Sequence, residues 1–342
     1  MSTTRWLAWL LVGVLVGGCA AGGAASASYF DHRGRDDVFS GGVKPIPITT
    51  SKGTFTVWTK RIGNNPRIKV LTLHGGPGAT HEYFEMLDSF FPGEGIEYYY
   101  YDQLGSYYSD QPNDPALLDI GRYADEVEQV RVALGLDAQN FYLLGHSWGG
   151  MLAIEYALKY SKNLKGLIIS NMMASIPVYN EYAHKVLMPA MDQTALAEIL
   201  KIEAAKDTQN PRYLELLILH HYQVHFLRLP AEKWPDGVNR AFKHLNYAVY
   251  VPMQGPSELG ASGIIEKWDR FADLATIPVP TLVVGAQYDT MDPKYMEQMA
   301  KSLKRGRYLY CANGSHMSMY DDQETWVRGV IGFLRDVDAG KL

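Results

Sequence analysis

Short apolar runs alternate with helically spaced segments along much of this chain. Thr54-Phe55-Thr56-Val57-Trp58 alternates in the period of a strand. Lys69 to Leu73 is a second β-prone run, and Tyr98 to Tyr101 a third. From Tyr123 to Leu134 the apolar residues Val127, Val130 and Leu134 recur at helical spacing between charges. Phe141 to Leu144 reads as a buried strand, Met151 to Tyr160 as a helix, and Gly166 to Ser170 as the next strand. Strands that alternate with helices predict an α/β fold with a mostly parallel central sheet and helices on both faces.

The rhythm breaks after Ser170. Between about 171 and 273 the pattern holds helical stretches at Ala195 to Ala205, Tyr213 to Phe226 and Gly237 to Tyr247, with Pro and Gly between them. An insertion of this kind between sheet strands predicts a helical cap. The sheet resumes at Thr281 to Gly285 and Arg307 to Tyr310, and a helix over Glu324 to Val337 closes the chain. The expected organisation is a core in two parts, 29–170 and 274–342, around a cap at 171–273.

The first 28 residues follow another pattern. Arg5 precedes an apolar run from Trp6 to Val16, then Gly17, Gly18 and Cys19, and an Ala/Gly/Ser-rich stretch to Ser28. Charge, short apolar segment and small residues make a secretory signal. Val16-Gly17-Gly18-Cys19 resembles the lipobox of bacterial lipoproteins, which implies lipidation at Cys19 and a place in the periplasm or cell envelope. Cleavage near Ala25 or Ala27, or an uncleaved anchor, are the alternatives. Cys311 is the only other cysteine, so no disulfide framework is expected, and it reads as a small buried hydrophobe. The 342 residues carry a formal charge of −5, which gives no general attraction to nucleic acid.

The chemistry concentrates at strand ends. Gly145-His146-Ser147-Trp148-Gly149 is a G-x-S-x-G sequence between a predicted strand and a predicted helix. That context makes a nucleophile turn, with glycines where the backbone bends and packs closely. A serine hydroxyl needs a base, and the base needs an orienting acid. Asp289 follows the 281–285 strand and His316 follows the 307–310 strand, both at the edge where open α/β sheets place their sites. Asp292 is the alternative acid; Asp289 stands closer to the strand end. His221 and His225 have i,i+4 spacing but lack the Glu of a zinc-protease motif, so no metal is expected. His74-Gly75-Gly76-Pro77-Gly78 is a glycine-rich turn after a strand, and the N–H groups of Gly76 and Trp148 would form an oxyanion hole.

Taken together, His74 to Gly78, Asp102-Gln103-Leu104-Gly105-Ser106 and Gly145 to Gly149 resemble the proline iminopeptidase family of α/β-hydrolases. Gly255-Pro256-Ser257-Glu258 and the Gly285 to Asp289 loop look closest to its tricorn-interacting aminopeptidase and L-amino acid amidase branch. The resemblance implies a serine hydrolase that releases an N-terminal residue from short peptides or amino acid amides, without a cofactor. It carries over Ser147, Asp289 and His316 as a triad, Gly76 and Trp148 as the oxyanion hole, and Glu258 as a carboxylate for the substrate's α-ammonium group.

This chain departs from the family in two places. Thr290 stands where a second acid often follows the catalytic Asp, and the 102–106 loop lacks the usual Arg. The first should weaken selection for a charged amine, and Tyr107 and Tyr108 are expected to line a more apolar pocket. The rival readings are an esterase or amidase acting on uncharged small molecules, and a ligand-binding lipoprotein that has kept the fold without the reaction.

Overall fold

The computed structural model describes residues 29–342. The expected signal segment, Cys19 included, lies outside the described residues. Eight strands form one sheet: β1 (Val43–Thr50), β2 (Gly53–Ile62), β3 (Lys69–Leu73), β4 (Glu97–Asp102), β5 (Phe141–His146), β6 (Gly166–Ser170), β7 (Thr281–Ala286) and β8 (Gly306–Cys311). Their order is β1-β2-β4-β3-β5-β6-β7-β8, antiparallel from β1 to β4 and parallel from there on.

The inner strands are apolar on both faces because helices cover both. Leu71, Leu143, Leu167 and Val283 belong to one core cluster, while Val70, Leu144, Ile168 and Val284 belong to the other. This is the two-residue period of a strand applied to a sheet buried on both sides. Helix α1 (Ile120–Ala133) and α2 (Trp148–Tyr160) pack on the first face, and the last helix (Gln323–Asp338) packs on the second. In β4 the four tyrosines divide likewise: Tyr98 and Tyr100 both donate to Asp88 at 2.6 Å, whereas Tyr101 donates to Glu126 on the opposite side. A buried phenol needs such a partner.

Strand β1 is not foreshadowed by the hydrophobic pattern, because Pro45 and Pro47 interrupt it. It tolerates them as the edge strand, where it has one neighbour to bond. The chain steps from β3 outward to β4 and returns to place β5 on the other side of β3. The resulting switch point lies between the C-terminal ends of β3 and β5, where an open α/β sheet leaves a crevice.

Between β6 and β7 the described chain is helical: α3 (Ile176–Tyr182), α4 (Gln193–Ala204), α5 (Pro211–Leu217), α6 (Asp236–Lys243) and α7 (Tyr247–Met253). Helix α5 runs on as a π-helix over Ile218–Phe226. The single helix expected from Gly237 to Tyr247 is two, α6 and α7, separated by a turn in which Asn246 caps α7 through Ala248 N–H at 3.0 Å. Helix α8 (Pro293–Ser302), absent from the sequence reading, starts with Asp292 as its cap, accepting from Lys294 N–H at 2.9 Å. Asp292 is thereby committed to a helix end.

Candidate active site

Ser147 is the residue between β5 and α2, and its backbone sits at φ 54° and ψ −126°. A side chain rarely adopts this region, and holding it there costs about 1–3 kcal/mol that the surroundings must outweigh. The glycines explain how the turn closes. A Cβ at Gly145 would lie 2.0 Å from the Gly149 carbonyl oxygen, and a Cβ at Gly149 would lie 2.0 Å from that of Leu73. Both obstacles are backbone, so only glycine fits. The turn thus presses α2 onto β3 and brings Ser147 to the switch point, 7% exposed.

The loop after β3 meets it there. A Cβ at Gly75 would stand 2.8 Å from Ser147 Cβ, which measures how closely the two loops approach. Gly76 follows at φ 58°, and among the described residues neither its amide nor that of Trp148 is spent in an internal hydrogen bond. Two free donors beside a hydroxyl are suited to a developing oxyanion.

His316 and Asp289 lie together although 27 positions separate them. His316 Nδ1 donates to Asp289 Oδ1 at 2.7 Å, and the two are 1% and 0% exposed. Asp289 also accepts from Asn171 Nδ2 at 2.7 Å and from Met291 N–H at 3.1 Å. A buried carboxylate so furnished stays fixed and fixes the imidazole. Burial pushes the His316 imidazole down, but the Asp289 carboxylate outweighs it and holds the group above its ordinary range.

Several supporting residues have roles that the motifs do not announce, although His146 and Gln103 lie within them. Tyr83 accepts from Gly75 N–H and donates to His146 Nδ1 at 3.1 Å, while His146 Nε2 donates to the His316 carbonyl at 2.9 Å. This chain ties the glycine loop, the nucleophile turn and the base into one unit. Burial, with His316 adding to it, holds His146 well below its ordinary range, so it stays neutral. Gln103 accepts from the Trp148 indole at 2.8 Å and anchors that ring under the turn. The sequence signal for these residues is weak because each acts through long-range contacts.

The cap closes over this floor. The last carbonyls of the π-helix, at His225 and Phe226, accept from the backbone N–H groups of His316 at 2.9 Å and Met317 at 2.8 Å. Helix-end carbonyls that need partners are here satisfied by the loop that carries the base. His221 and His225 each direct a ring nitrogen to a backbone carbonyl, of Glu258 at 3.2 Å and Tyr288 at 3.0 Å.

Ser147, His316, Gly76 and Glu258 line one cavity, with Tyr213, Tyr222, Phe242 and Tyr250 among the aromatic residues of its wall. Its volume is about 110 Å³. Glu258 is partly buried; its Oε1 accepts from Tyr250 at 2.7 Å, and its carbonyl accepts from Tyr179 at 2.8 Å. It is the only carboxylate on the wall among the described residues.

One expectation is corrected. Tyr107 and Tyr108 do not line the cavity: Tyr107 stacks on His244 with ring centres 3.9 Å apart, and Tyr108 packs on Trp58 at 5.0 Å. Thr290, the residue at the position where the family often has a second acid, is likewise not on the cavity wall. Its hydroxyl lies 3.2 Å from His316 Nδ1 and 3.3 Å from Asp289 Oδ1, so it touches the His–Asp pair rather than a substrate amine.

Comparison with known proteins places this geometry. Residues 69–323 match the model of the alpha/beta hydrolase fold family. The chain is 58% identical to a proline iminopeptidase of Flavobacterium johnsoniae over 297 residues, covering 87% of this chain and 99% of that protein. It is 59% identical to the proline iminopeptidase of Elizabethkingia meningoseptica over 296 residues, 86% and 98% of the two chains. A solved structure of a Mycobacterium smegmatis proline iminopeptidase superposes with a TM-score of 0.76 at 25% identity, covering 88% of this chain and all of that one.

Proposed function

The chain belongs to the α/β-hydrolase fold family and, within it, to the proline iminopeptidases, and from that premise we propose that it is a serine hydrolase that removes an N-terminal residue, proline or another small apolar one, from short peptides or amino acid amides. Ser147 Oγ attacks the carbonyl of the N-terminal residue. His316 takes the hydroxyl proton through Nε2, and Asp289 keeps Nδ1 protonated and stabilises the imidazolium that forms. The N–H groups of Gly76 and Trp148 receive the oxyanion. His316 then returns the proton to the leaving amine, and water, deprotonated by His316, releases the acyl group from Ser147.

Glu258 supplies the selectivity for a free N-terminus. An ammonium group entering an aromatic, sheltered cavity loses water, and a carboxylate on the wall compensates it by a charge-assisted hydrogen bond. The observation that carries the reading is that Ser147, His316 and this carboxylate open into the same cavity. The N-terminal segment is proposed to export the enzyme and to hold it at the cell envelope through a lipid on Cys19.

A fluorophosphonate probe and proline β-naphthylamide test the core of this reading. Wild-type protein should be labelled on Ser147 and release naphthylamine, and Ser147→Ala should do neither. Labelling without release from the free amine, combined with turnover of an N-blocked amide or ester, would replace the peptidase by an esterase or amidase of uncharged molecules.

A further inference from the structure

In a dipeptide only three bonds, C–N, N–Cα and Cα–C, separate the scissile carbonyl carbon from the terminal carboxylate. That carboxylate therefore lies within roughly 4 Å of the carbon under attack. Ser147 is 7% exposed beneath the cap, so the carboxylate is largely withdrawn from bulk water while the bond is cleaved.

The cavity offers it no counter-ion. Among the described residues its wall holds no lysine or arginine; Glu258, His146 and His316 are its ionisable groups besides tyrosines. His146 has both ring nitrogens engaged, and His316 must be neutral to act as base. Nearby basic side chains are committed elsewhere. Arg240 bonds Glu82 at 2.6 Å and Asp236 at 2.7 Å, His244 bonds Glu82 at 2.8 Å, and Arg228 lies over the Tyr288 ring at 3.5 Å. Apart from the Thr208 hydroxyl and the catalytic loops, the remaining wall is apolar or aromatic, as at Leu217, Phe242, Leu245 and Val251.

We infer that this site selects against a free carboxylate on the residue that follows the scissile bond, and takes amides, arylamides and peptides of three or more residues in preference to dipeptides. The inference rests on the reading that this cavity is the reacting centre. An unpaired carboxylate enclosed there is desolvated, and the Glu258 carboxylate repels it. A primary amide presents nearly the same shape without the charge. One further residue moves the carboxylate outward by roughly 3.5 Å, toward a rim where Leu214 and Tyr247 are 41% and 42% exposed.

The test uses the wild-type protein with Pro-Ala, Pro-Ala-NH2 and Pro-Ala-Ala, each with a free and an N-acetylated terminus. Pro-Ala should show a kcat/KM at least about tenfold below that of Pro-Ala-NH2, with the gap in KM because the charge penalty is present in ground and transition states alike. A difference that arose from the basicity of the leaving amine would sit in kcat. The tripeptide should lie within about threefold of the amide, a difference of under about 0.7 kcal/mol. Dipeptide and amide values within that same margin, or a gap confined to kcat, would overturn the inference. Failure of the free-amine reading is seen separately, as the acetylated series outrunning the free one.

Discussion

On the core side of the cavity each functional group is held by backbone or by a buried polar network, whereas on the cap side one carboxylate is held by one phenol among aromatic rings. Ser147 stands where two glycines leave no alternative, and Asp289 accepts from an imidazole, an amide side chain and a backbone N–H. Glu258 has Tyr250 at its side chain and its loop fixed through its carbonyl. The contrast matches two tasks. Proton transfer and oxyanion binding demand fixed distances, while recognition of an end group needs one charge in a shaped, apolar cup. A family can therefore keep the floor and vary the cap.

Perturbations of the two sides should differ in size and in kind. Ser147→Ala or His316→Ala should lower kcat by about 10⁴-fold or more on every substrate, free or blocked, as measured by steady-state release of naphthylamine. Asp289→Asn should cost about 10³–10⁴-fold in kcat. It should also move the pH profile. His316 acts only when neutral, and its pKa is raised by Asp289, so wild-type kcat/KM should fall as pH drops through a midpoint above the ordinary value of about 6.5. In Asp289→Asn that limb should shift to lower pH; an unmoved limb would deny Asp289 its role.

On the cap side the effects should be smaller and confined to free-amine substrates. Tyr250→Phe removes the hydroxyl that holds Glu258 and should raise KM for proline β-naphthylamide by about three- to tenfold, an effect of about 0.7–1.4 kcal/mol. Its kcat, and both constants for the N-acetylated compound, should stay as in wild type. Cys19→Ser should leave the kinetics of the soluble protein unchanged while abolishing incorporation of labelled lipid in growing cells. Retained labelling would remove the anchor from the account.

How far the sequence reaches follows the same division. The β3, β5, β6 and β7 strands were legible because burial on both faces leaves continuous apolar runs. The nucleophile turn was legible because close packing of α2 on β3 admits only glycine at Gly145 and Gly149. Strand β1 escaped because its prolines mimic a break and only its edge position excuses them. Tyr83 and Asn171 escaped for a different reason: each contacts a group far away in the chain, and no local pattern records such a pairing; Tyr250 lies only eight residues before Glu258, but no motif links the two. Thr290 departs from the family pattern in sequence, but that its neighbours are His316 and Asp289 emerges only in the fold. Glu258 itself is indistinguishable from a solvated loop acid until the resemblance or the cavity is considered.

The division of labour between floor and cap is tested most directly by kcat/KM for proline β-naphthylamide and its N-acetylated form, measured in wild type and in Glu258→Gln. Wild type should favour the free amine. Glu258→Gln should lose about 10- to 100-fold on the free amine, through KM, and should leave the blocked compound unchanged, a loss of about 1.4–2.7 kcal/mol. Equal losses on both compounds, or none on the free amine, would contradict it and remove Glu258 from recognition of the N-terminus.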